Sequence, residues 1–69
     1  MKELKEFKEL PQELQNRIQA ICDSDPYGLN PRTLYKNIFY STESIETIAK
    51  IFEVMPLLVK NIKEEGADV

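Results

Sequence analysis

The sequence predicts an all-α fold, a small bundle of four to five short helices. Three observations predict it. The 69 residues include only two glycines against many Leu, Ile, Glu and Lys, a balance that favours helix over sheet. Apolar residues recur at spacings of three and four. The four prolines fall where helices begin or where a loop bends.

Residues 1–10 are expected to form an N-terminal amphipathic helix. Leu4, Phe7 and Leu10 recur every three residues, with Lys and Glu between them. The charges read as a solvated face. Pro11 then interrupts, because proline cannot extend a helix without losing a hydrogen bond but suits the first turn of a new one. A second helix is expected over 11–22, with Leu14, Ile18 and Ile21 on its inner side and Gln12, Gln15, Asn16 and Gln19 towards water or a neighbour.

Residues 23–30 are turn formers and read as a loop. Asp23 and Asp25 resemble the opening of a calcium loop, but the position that needs the closing acid holds Leu34. Asn30 followed by Pro31 is a cap and a first-turn proline, which predicts a helix over 31–40. Leu34 with Ile38, and Tyr35 with Phe39, give that helix a broad apolar face. Ser41 or Thr42 is expected to cap the next helix, with Glu43 and Glu46 in its first turn favoured by the helix dipole. Ile45, Ile48, Ala49, Ile51 and Phe52 are its expected buried side. Residues 53–55 make a tight connection. Pro56 opens a last helix to about Glu65, Gly66 closes it, and Ala67, Asp68 and Val69 form a fraying tail.

Size and composition narrow the function. A chain of this length is a single domain, 1–69, with no room for a deep catalytic cleft, so function should sit on an outer face. Hydrophobic residues at 42% and charged ones at 30% fit a folded globular chain rather than a disordered one. Cys22 is the sole cysteine, so neither an internal disulfide nor a multi-cysteine zinc site can form; it reads as a small core residue. The absence of histidine, of a cysteine pair, of a glycine-rich phosphate loop and of metal-ligand spacing argues against an enzyme and against any cofactor. No apolar run is long enough to span a bilayer, and the start lacks a secretory signal, so a cytoplasmic location and no membrane partner are expected.

The segment 45–64 carries the most specific pattern. Two helices joined by three residues must cross steeply, so their contact needs a small residue midway along the first helix and apolar residues on either side of the turn. Ala49 is the small residue. Ile48 and Phe52 lie four apart, Val54 plugs the turn, and Val59 and Ile62 face back from the second helix.

The run Thr47-Ile48-Ala49-Lys50-Ile51-Phe52-Glu53-Val54, followed by Leu58-Val59-Lys60-Asn61-Ile62-Lys63, resembles the helix-turn-helix superfamily of small bacterial and phage DNA-binding proteins. The resemblance covers about 20 of the 69 residues, and the helix-turn-helix unit would span 43–65. It implies a transcriptional regulator in which the last helix enters the major groove of double-stranded DNA. The outward positions would be Met55, Pro56, Leu57, Lys60, Asn61 and Glu64. Asn61 would pair with adenine, Lys60 with guanine or a phosphate, and Met55 and Leu57 with thymine methyls. Arg32, Lys36 and Lys63 would hold the backbone.

Two features depart from the family. Glu53 stands where members carry the turn glycine, at a strain of about 1 kcal/mol for a left-handed backbone. Met55, Pro56, Leu57 and Leu58 stand where members place Ser, Thr, Arg or Gln.

The net charge of −3 is unlike a strong nonspecific DNA binder. Residues 45–64 hold three lysines and three glutamates and are neutral, while 29–64 adds Arg32 and Lys36 against Glu43, a net +1. So few phosphate contacts imply a homodimer, with the N-terminal helix as its expected interface. The rival reading is a protein-interaction module that docks a protein partner through the apolar start of the last helix.

Overall fold

A computed structural model describes residues 3–68 and is all-α in its main body. Four helices follow one another: α1 (Gln12–Asp23), α2 (Pro31–Tyr40), α3 (Ile45–Phe52) and α4 (Pro56–Glu65). Helix α4 packs on all three of the others. Its Leu58, Val59 and Ile62 meet Leu14, Ile18 and Cys22 of α1, Leu34, Tyr35 and Ile38 of α2, and Ile48 and Ala49 of α3 in one core. Full burial of each large side chain there contributes roughly 1.5–3 kcal/mol.

The helix boundaries have local causes. Asn30 Oδ1 accepts from the Arg32 N–H at 2.8 Å, and Pro31 fills the first helical position of α2. Ser44 caps α3: its Oγ accepts from the Thr47 N–H at 3.2 Å and donates to Thr47 Oγ1 at 2.8 Å. The expected caps, Ser41 and Thr42, precede that position, so the helix starts at Ile45 and only Glu46 lies in its first turn. Two further expectations change. Ile51 is exposed rather than buried, because the core side of α3 is set by Ile48 and Ala49. Cys22, more than Ile21, completes the buried stripe of α1.

The N-terminal helix expected over 1–10 does not form in the described part of that segment; Met1 and Lys2 lie outside the described residues. Glu3–Leu4 is a short strand, β1, and Phe7–Glu9 is a single 3-10 turn. Leu10 is extended, as the residue before a proline prefers, so no helix can run into α1. Ten residues alone are also too few for a stable isolated helix, whereas about 12–15 are already marginal. The spacing of three that suggested a helix instead directs Leu4, Phe7 and Leu10 onto the core of the same chain. These residues are therefore not a free dimerisation face. The side chain of Gln15 fixes the turn to α1 by donating to Leu10 O at 2.7 Å and Lys8 O at 3.1 Å.

The tail expected to fray is ordered through Asp68, while Val69 lies outside the described residues. Ala67–Asp68 forms β2, antiparallel to β1, with Leu4 opposite Ala67 and Glu3 opposite Asp68. The Lys5 N–H extends the ladder to Gly66 O at 2.9 Å. Tyr35 clamps this ribbon from below. Its buried phenol donates to Lys5 O at 2.7 Å, and its ring meets Phe7 edge to face at 6.1 Å.

Gly66 ends α4 in a right-handed conformation rather than the left-handed one favoured after helices. Glycine is required there by space: a Cβ would lie 2.7 Å from Ile62 O and 2.8 Å from the Tyr35 hydroxyl.

Gly66→Ala should lower stability by about 1–3 kcal/mol in urea unfolding, since neither the carbonyl nor the clamped phenol has room to move. Burial first, then the Tyr40 and Glu9 charges, push the Tyr35 phenol up to about 12. Its contribution is complete below the unfolded-state value of about 10 and lost as pH rises through the folded value. Stability should thus fall between those limits, and Tyr35→Phe should flatten that alkaline limb while lowering stability at neutral pH by about 1 kcal/mol.

Candidate nucleic-acid interface

The geometry of α3 and α4 begins with their connection. An eight-residue helix is followed by three residues, 53–55, and then by α4. Glu53 is left-handed, φ 55° and ψ 45°, and is the only non-glycine with positive φ among the described residues. The Val54 N–H donates to Ala49 O at 2.9 Å and the Glu53 N–H to Lys50 O at 3.3 Å. This paired closure satisfies the last carbonyls of α3 and turns the chain sharply. Val54 is then partly buried against the core. Pro56 fixes the first turn of α4, with Met55 as an extended N-cap.

Burial of Leu58, Val59 and Ile62 decides what α4 shows outwards. Residues 57, 60 and 64 fall on the opposite side of a 3.6-residue helix, and Leu57, Lys60 and Glu64 are all exposed. Asn61 is half-buried at the flank of this face. Met55 and Pro56 are exposed at its start. The structure therefore brings Met55, Leu57, Lys60 and Asn61 together on the first two turns of one helix.

Arg32 and Lys36 lie four apart on the exposed side of α2. Among the described residues, neither they nor Lys60 form an ion pair; the ion pairs there join Lys8 to Glu6 and Arg17 to Glu13. Their charges are open to a ligand.

Lys63 has a different position from the rest of the expected set. Its Nζ donates to Ser41 O at 2.8 Å and Phe39 O at 3.2 Å. A cation there satisfies the terminal carbonyls of α2 and opposes the negative end of its dipole. The side chain is half-buried and ties the end of α2 to the third turn of α4. That latch holds the α4 face at a fixed height relative to Arg32 and Lys36. Sequence spacing gives no hint of it, because the partners are backbone carbonyls more than twenty residues away.

The face is not uniformly polar. Ile51, Met55 and Leu57 are 60%, 72% and 54% exposed around the turn. Isolated exposed apolar residues are ordinary, but these three fall within seven positions of one another. Among the described residues, no helix is long and apolar enough to cross a membrane. Searches of protein-family models, curated proteins and solved structures find no match for the chain.

Replacing Glu53 by glycine should raise stability by about 0.5–1 kcal/mol, as relief of the left-handed strain exceeds the added entropy of the unfolded chain. For a domain of this size the Tm rises by about 2–8 °C. A lower Tm for Glu53→Gly would mean that the Glu53 side chain contributes more to the turn than its backbone costs.

Proposed function

We propose that the chain is a small DNA-binding regulator of the helix-turn-helix kind, in which α4 lies in the major groove of duplex DNA. The observation that carries this reading is the eight-residue helix closed by a left-handed residue 53. It is followed after two residues by a helix buried on one side and open on the other. Helices presented this way place the side chains of their first turns against base edges.

The roles follow from chemistry. The Asn61 amide has one donor and one acceptor in the plane that adenine N7 and N6 require. Lys60 has the reach for guanine O6 and N7 or for a phosphate. Leu57 and Met55 suit thymine methyls, the apolar element of the major groove. Arg32 and Lys36 supply phosphate contacts from α2, and Lys63 supports them by holding α2 against α4. The three open cations of this face give weak binding, so two copies acting together on a two-fold site are part of the proposal. The role is one of binding, without catalysis.

A second reading rests on Ile51, Met55 and Leu57. This apolar rim suits a groove or helix on a protein partner, and the chain would then be a protein-interaction module.

Fluorescence anisotropy with labelled random duplex DNA distinguishes the two. At about 50 mM salt the DNA reading expects saturable binding, with a log–log salt slope of about −3 per chain from three phosphate contacts. Lys60→Glu should weaken binding about tenfold or more, and Asn61→Ala should reduce discrimination between sites by about 1–3 kcal/mol. Absence of binding at low salt, or unchanged binding by the Lys60→Glu and Asn61→Ala double variant, rejects it. Loss of partner capture by a folded Leu57→Asp variant that retains its DNA behaviour would favour the protein partner.

A further inference from the structure

A second surface lies away from the outward side of α4. The C-terminal end of α1, the 24–29 loop and the C-terminal end of α3 enclose an open groove of about 510 Å³. That volume is within the roughly 300–1,000 Å³ of sites that hold several side chains or a drug-sized ligand. Ile21, Leu29 and Phe52, all half-buried, form its apolar part, and Asp25 and Glu53 its carboxylates.

Its electrostatics are one-sided. No lysine or arginine lines the groove, and none occurs anywhere in residues 18–31. Helix α1 ends there, so its terminal carbonyls add partial negative charge to the two carboxylates. The last turn of α1 has no basic residue and instead ends on Asp23, an acid where a cation would be favoured. The Cys22 thiol beside it responds to the same field: burial first, then Asp23 and Asp25, push its pKa up. By contrast, α2 has Lys63 at its C-terminal end and α3 has Lys50 in its last turn. The end of α1 alone lacks an internal cation.

We propose that this groove docks a short segment of a partner protein that presents an apolar side chain flanked by arginine or lysine. The apolar side chain would rest on Ile21, Leu29 and Phe52. The cation would lie between Asp25, Glu53 and the carbonyl end of α1, supplying the charge that α1 lacks. Asp25 remains competent for this while holding the loop: its Oδ2 accepts from the Leu29 N–H at 2.9 Å, which leaves Oδ1 for a ligand. The proposal stands independently of DNA binding, because it uses none of Met55, Leu57, Lys60 or Asn61.

The test is an amide NMR titration of the full chain with three probes. Two are short amidated peptides with the same leucine and phenylalanine positions, one bearing arginines and one bearing glutamates; the third is spermidine. The arginine peptide should shift the amides of residues 20–29 and 52–53 and bind at least about tenfold more tightly than the glutamate peptide. Added salt should weaken it. Asp25→Asn with Glu53→Gln keeps the Leu29 hydrogen bond and should weaken the arginine peptide several-fold with the native spectrum retained. If that pair unfolds, Glu53→Gln alone should show the same direction. Equal binding of the glutamate peptide would overturn the proposal. So would shifts centred on Leu57 to Asn61, no shifts at all, or spermidine matching the arginine peptide.

Discussion

The fold depends on one apolar stripe. Helix α4 packs on all three other helices, and its Leu58, Val59 and Ile62 are each buried on its inner side. Removing water from these three side chains fixes the rotation of α4 about its own axis. That rotation decides which residues remain outside. Leu57, Lys60 and Glu64 are exposed because they lie across the helix from that stripe. The outward face is thus a by-product of core packing, and its composition can vary without altering the fold.

Much of this was legible in the sequence. The 31–40 and 56–65 helices coincide with α2 and α4, because Asn30-Pro31 and Pro56 are start signals tied to fixed backbone chemistry. The Ala49, Phe52 and Val54 spacing anticipated the sharp connection. Glu53 was legible as a departure from glycine, and it does take the left-handed conformation such a glycine would adopt. The choice of cap for α3 was not legible, since Ser41, Thr42 and Ser44 all offer a hydroxyl and it is Ser44 that accepts from the Thr47 N–H.

The N-terminal segment shows where local reading stops. A spacing of three fits a helix, a 3-10 turn and a strand lying on a core about equally well over so few residues. What decided the outcome was contact with distant parts of the chain: β2 and Gly66 at its far end, and the Tyr35 hydroxyl at its middle. The strand pairing joins residues more than sixty apart in sequence and the Tyr35 bond residues 30 apart, and neither leaves a periodic trace. The Lys63 latch was hidden for the same reason. Both show a small bundle holding its helices by satisfying particular backbone groups where the apolar core is too small to do so alone.

The pairing of β1 with β2 also places residues 3 and 68 side by side. Antiparallel partners run about 4.8 Å apart, so polypeptide arriving at residue 3 and polypeptide leaving after residue 68 pass through the same small patch of surface. Topologically the molecule is close to a closed ring. A few added residues would join the ends, and the ring could be reopened at the 24–29 loop, where Gly28 already has open space around it, to give a circular permutant with the same four helices. By the same geometry the whole unit can sit as an insertion within a larger protein, entering and leaving at one point.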